Sequence, residues 1–157
     1  MHPALLAQFD PSLIFRCFLG LFGLSFAGGL MLLMQWRHAS RWNLLARVYA
    51  GDTAWQGERR SFQTALLRTH SLIYSSYKGI VQVEANETGI VLSLIWPFSL
   101  FHPKLFLPVE EIQLEPTSWY LNSRSYALTM SEVPEVEMVL DEEIVKWMGA
   151  KTGRSWV

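Results

Sequence analysis

From Leu13 to Trp36 the chain reads LIFRCFLGLFGLSFAGGLMLLMQW, with Arg16 as its one charged residue. At ~1.5 Å of rise per residue, a run of this length covers a hydrocarbon layer of ~30 Å with room for tilt. The run therefore predicts a transmembrane helix. Asp10, Pro11 and Ser12 in front of it supply polar caps and a first-turn proline. A cleaved signal peptide needs a basic start, a shorter apolar run of ~7–15 residues and a small-residue cleavage site. The stretch has none of these, so an uncleaved single-pass anchor is expected.

The residues behind the run alternate apolar and polar side chains, which predicts one small β-rich domain and no further spans. The expected boundaries are a short extracytoplasmic tail at 1–12, the transmembrane helix at 13–36, a juxtamembrane helix at 37–52, the β domain at 53–150 and a tail at 151–157. Charge is lopsided around this frame. Residues 37–78 carry seven Lys or Arg and two Asp or Glu, whereas residues 79–157 carry five and eleven. Arg37, Arg41 and Arg47 follow the apolar run directly, and the first twelve residues hold no Lys or Arg. By the positive-inside rule this places the N-terminus outside and the domain in the cytoplasm, at an inner membrane. The single cysteine, Cys17, excludes an intramolecular disulfide and a thiolate zinc site.

Helical spacing continues past the run, with Trp42, Leu45 and Tyr49 on one face, and Gly51 with Asp52 ends it. Strands are expected at Ser61–Thr69, Gly79–Ala85 and Ile90–Ile95, the last two joined by a turn at Asn86–Gly89. Shorter strands follow at Lys104–Leu107 and Ile112–Leu114, punctuated by Pro103, Pro108 and Pro116, which mark edges or bulges. Trp119–Leu121 and Ser125–Met130 flank a polar turn, and Val136, Met138 and Leu140 alternate with glutamates. Asp141 then caps a closing helix with Glu142 and Glu143 in its first turn and Ile144, Trp147 and Met148 on its apolar face.

About seven antiparallel strands followed by one capped helix resembles the pleckstrin-homology-like domains, a partly open barrel or sandwich closed by a C-terminal helix. Trp147 in the closing helix strengthens the resemblance. Gly89, Phe98, His102, Pro103, Leu107, Pro108, Glu111 and Ile112 are also similar to a pattern of small bacterial membrane-anchored proteins. There a glycine-led strand passes through an aromatic loop and a His-Pro pair to a short Ile-Pro-x-x-Glu-Ile stretch. Val109 departs from it, standing where that pattern has tryptophan. The resemblance implies an architecture and carries no activity.

Catalytic and metal constellations are missing from the sequence. His2, His38, His70 and His102 lack metal-pair spacing, and no phosphate-cradling glycine loop occurs. Ser25, although flanked by Gly23 and Ala27, lies in a helix and has no base beside it. Glu110 and Glu111, being neighbours, point to opposite faces of a strand. No enzyme activity and no cofactor is expected.

Two features fit interaction. Gly20, Gly23, Ala27 and Gly29 recur at spacings that let another helix, or a second copy, approach closely. Trp96, Phe98, Leu100 and Phe101, within WPFSLFHPK, make a loop more apolar than solvent favours; it covers the barrel end, meets a protein partner or enters a lipid interface. Arg37, Arg41, Arg59 and Arg60 are candidates for anionic headgroups or partner acids. Nucleic acid is not expected, since the far half of the domain is acidic. The reading is a non-enzymatic accessory or scaffold subunit presenting a cytoplasmic module to a membrane protein partner, with a sensor of anionic lipid as the alternative and an enzyme of unrecognised type as the least favoured.

Overall fold

The computed structural model describes residues 11–51, 57–69, 74–119 and 123–157. The chain divides into two compact units, Met1–Arg37 and His38–Val157. Helix α1 spans Pro11–Tyr49 and is followed by strands β1 (Glu58–Arg68), β2 (Tyr74–Asn86) and β3 (Gly89–Leu94). Strands β4 (Leu105–Pro108), β5 (Ile112–Trp119), β6 (Ser123–Met130) and β7 (Val133–Asp141) come next, and helix α2 (Glu142–Thr152) closes the order. Two 3-10 turns, Phe98–Phe101 and Val109–Glu111, flank β4. The seven strands make one antiparallel sheet in the order β4-β3-β2-β1-β7-β6-β5, curled into a half-barrel.

The transmembrane assignment of residues 13–36 is overturned. Among the described residues, no helix is long and apolar enough to cross a membrane. That stretch is not apolar throughout. It includes Arg16, and Gly20, Gly23, Ser25, Gly28 and Gly29 dilute its apolarity. The membrane and single-pass descriptions built on that span fall with it. Within this unit the large apolar side chains Phe15, Phe18, Leu21, Phe22, Leu24 and Phe26 are all more than 60 % exposed. Among the described residues, an added Cβ at Gly20, Gly23 or Gly29 would meet nothing within 4 Å.

In the second unit, the end of α1 belongs to the core and is not a linker. Trp42, Leu45 and Tyr49 are buried against the inner face of the sheet, where Val81, Val83, Ile90, Leu92, Leu105, Leu128, Met138 and Leu140 converge. From the helix α2, Ile144, Val145 and Met148 fill the same core. Gly51 N–H donates to Lys104 O at 3.3 Å, and Ala50 bridges to Leu105, which covers the free edge of β4.

Local chemistry accounts for the turns. Asn86 Oδ1 accepts from the Thr88 N–H (2.8 Å) and hydroxyl (2.9 Å) and from the Gly89 N–H (3.3 Å), an Asx turn that starts β3. Gly89 is required by packing, since a Cβ there would lie 2.7 Å from Leu107 O and from the Phe106 ring. Asp141 caps α2 by accepting from Glu143 N–H at 3.1 Å, and Lys146 pairs with Glu142 one turn back at 2.7 Å. Gly153, left-handed with φ 70°, ends the helix.

Two strands run longer than their apolar pattern. β1 begins at Glu58 because its charged start is paired: Arg59 with Glu84, Arg60 with Glu143 and Glu58 with Lys151. β5 continues from Ile112 through Pro116 to Trp119 in unbroken register with β6. That is possible because β5 is an edge strand: a proline whose nitrogen points outward costs no ladder hydrogen bond and blunts the edge against further pairing.

Candidate interaction site

The segment between β3 and β4 is a built turn. Phe98 N–H donates to Ile95 O at 2.9 Å, Leu100 N–H to Pro97 O at 3.3 Å and His102 N–H to Ser99 O at 3.1 Å. The Trp96–Pro97 peptide is cis. Phe98 packs against the core, while Trp96 (79 % exposed), Leu100 (59 %) and Phe101 stand in solvent.

His102, buried at the foot of the turn, holds its shape. Its Nδ1 lies 2.9 Å from Phe98 O, a carbonyl that only accepts, so Nδ1 carries the hydrogen. Nε2 is then the acceptor and takes the Tyr77 hydroxyl at 3.3 Å. The Trp42, Tyr77 and His102 rings meet at centroid separations of 5.4–5.6 Å, His102 standing edge-on to both others. Trp42 Nε1–H donates to Pro103 O at 2.7 Å, which pins the far end of the turn to α1. Burial pushes the Tyr77 phenol well above its usual range, the Arg41 charge offsetting this in part, so the hydroxyl stays a donor throughout the physiological range.

Arg41, Arg59 and Arg60 are each held by a different partner within the domain. Arg41 donates from Nη1 to the buried Ser75 hydroxyl at 2.9 Å. Arg59 is bound to the buried Glu84 at 2.5 Å. Arg60 lies 5.1 Å from the Trp147 ring centroid and 3.3 Å from Glu143. The Arg37 side chain is outside the described residues. Much of the charge meant for lipid headgroups is thus engaged within the domain. Glu110 and Glu111 do not converge either. Glu111 Oε2 accepts from Tyr49 OH at 2.5 Å and from Ser131 Oγ at 3.3 Å, tying the end of α1 to the β6–β7 turn, while Glu110 is exposed. Burial and the Glu111 carboxylate push the Tyr49 phenol up to about 12.

Among the described residues no group of three His, Cys, Asp or Glu could hold a metal ion. A cleft of about 450 Å³ beside the turn is lined by Ala50, Gly51, Ser99, His102, Pro103 and Lys104, and both His102 nitrogens are already bonded. Sequence reasoning found the aromatic turn but missed Tyr77, Ser75 and Trp42 as its support. Those contacts join residues 25 to 61 positions apart, and no local pattern announces them. The chain matches no protein family, no curated protein and no solved structure.

Proposed function

We propose that this protein is a non-enzymatic interaction module that docks a protein partner through the aromatic turn Trp96–Phe101. The observation that carries the reading is the contrast between the two sides of that turn. Its base is fixed by buried aromatic rings and hydrogen bonds, and its tip spends that rigidity on holding Trp96 and Leu100 in water. Tryptophan on a preorganised frame is the usual chemistry of an interface hot spot, because little side-chain freedom remains to be lost on binding. The exposed large apolar side chains of α1, from Phe15 to Phe26, are a second reason to expect a partner, since a large apolar patch left in water marks an interaction surface. The strand order with its closing helix supports the pleckstrin-homology-like reading of the domain, and the engaged arginines favour a protein over an anionic lipid.

The test is sedimentation of the tagged full-length chain after gentle extraction from cells that make it. The native chain should travel in a particle larger than its own mass, and the pair Trp96→Asp and Leu100→Asp, both at exposed positions, should release it. Recovery of native and substituted chains in the same free form would overturn the proposal.

A further inference from the structure

We infer that Arg41 is a binding site for an oxyanion from outside the chain, a phosphate or carboxylate group, and that its occupancy is transmitted to the aromatic turn. The site stands on its own geometry, and only the significance of reaching the turn rests on the docking role proposed for Trp96–Phe101.

Arg41 differs from Arg59, Arg60 and Arg68, each of which meets a glutamate. Its own partner is the neutral hydroxyl of Ser75, and among the described residues no carboxylate pairs with it. The bond to Ser75 uses Nη1, at 2.9 Å. Nε is buried and has no hydrogen-bond partner. The Nε–Nη2 edge, which presents two parallel N–H groups, is therefore the side of the guanidinium that lacks an acceptor.

A cation drawn out of water is costly unless its charge and its N–H groups are both answered. A buried polar atom left unpaired in a fold marks a place where a water or an ion belongs. Water answers the N–H groups and leaves the charge. Carboxylates and phosphates answer both, because two of their oxygens match the two donors of a guanidinium edge. The Arg41 side chain is half-buried, which leaves it open to an anion arriving from solvent.

Ser75 fixes the guanidinium and also starts a chain of hydrogen bonds. It bonds the Tyr77 hydroxyl, two residues along the same face of β2. Tyr77 donates to His102 Nε2 at 3.3 Å, so its oxygen is the acceptor from Ser75. His102 Nδ1–H donates to Phe98 O at 2.9 Å, inside the turn. Every proton points one way, from Arg41 through Ser75, Tyr77 and His102 to Phe98. Bonds in such a chain polarise one another. Neutralising the charge at its head therefore weakens each bond down to the carbonyl at the foot of the turn.

The test follows the Arg41 Nε–H and the backbone amides of Phe98–His102 by two-dimensional heteronuclear NMR of the full chain near neutral pH. Potassium phosphate, acetate and chloride are added in turn at equal ionic strength, and Arg41→Lys assigns the Nε–H by removing it. The Nε–H and the turn amides should move along saturating curves with one midpoint, and the oxyanion that saturates them, phosphate or acetate, identifies the group the site takes. Arg41→Lys keeps the charge and loses the forked edge, so the midpoint read from the turn amides should rise about tenfold, the loss of one charge-assisted hydrogen bond. In Tyr77→Phe the Nε–H should still titrate while the turn amides stay still; turn amides that titrate as before would overturn the transmission. No saturable change with either oxyanion, or an equal change with chloride, would overturn the site. Docking through the turn is judged separately, by release of the Trp96→Asp and Leu100→Asp pair.

Discussion

Replacing Trp42 tests whether the last turns of α1 are part of the β domain. The side chain is fully buried, touches Tyr77 and His102, and donates to Pro103 O. Truncating a buried tryptophan to alanine costs ~3–5 kcal/mol in lost transfer energy and residual cavity. The lost hydrogen bond contributes ~0.5–1.5 kcal/mol net, which puts Trp42→Ala in the upper half of that range, ~4 kcal/mol. A domain of this size holds ~5–15 kcal/mol in total, so the variant forfeits a large share. Urea unfolding followed by far-UV circular dichroism would show it: with a slope of ~2 kcal/mol/M the midpoint falls by ~2 M. Trp42→Phe keeps a ring in the site and removes the N–H, so it should lose only ~1–2 kcal/mol. A loss under ~1 kcal/mol for Trp42→Ala would refute the reasoning, because no exposed linker residue costs more than that.

Gly89→Ala drives a Cβ to 2.7 Å from Leu107 O, and overpacking against backbone should destabilise by ~1–3 kcal/mol in the same assay. Asp141→Ala removes the cap of α2 and should cost ~1 kcal/mol, with Asp141→Asn recovering most of it. The Tyr49 phenol is raised in the fold, so its contribution is fully present below the unfolded value of about 10 and is lost as pH rises toward about 12. Absorbance titration at alkaline pH should show two late tyrosines, Tyr49 and Tyr77, and Tyr49→Phe should remove the earlier of them.

Elements whose signals are local were legible in the sequence. The Asn86–Gly89 turn declares itself because the Asx side chain and the glycine act within four residues, and Asp141 with Glu142 and Lys146 marks a helix start by adjacent chemistry. The edge character of β5 was visible in Pro116, but its length was not, because the apolar pattern stops at Leu114 while the backbone pairing continues. The support of the aromatic turn depends on Trp42, Tyr77 and His102 meeting across the fold. The apolar run of α1 is the strongest hydropathy signal in the chain, and Arg16 with the glycines interrupts it.

The most direct measurement of the central claim is photo-crosslinking from the turn itself. A benzophenone amino acid in place of Trp96 or of Leu100, in cells that make the protein, should give one discrete adduct with another polypeptide. The same probe at Glu135, an exposed position on β7, should not. An adduct equally strong from Glu135, or none from either turn position, would contradict docking through the aromatic turn.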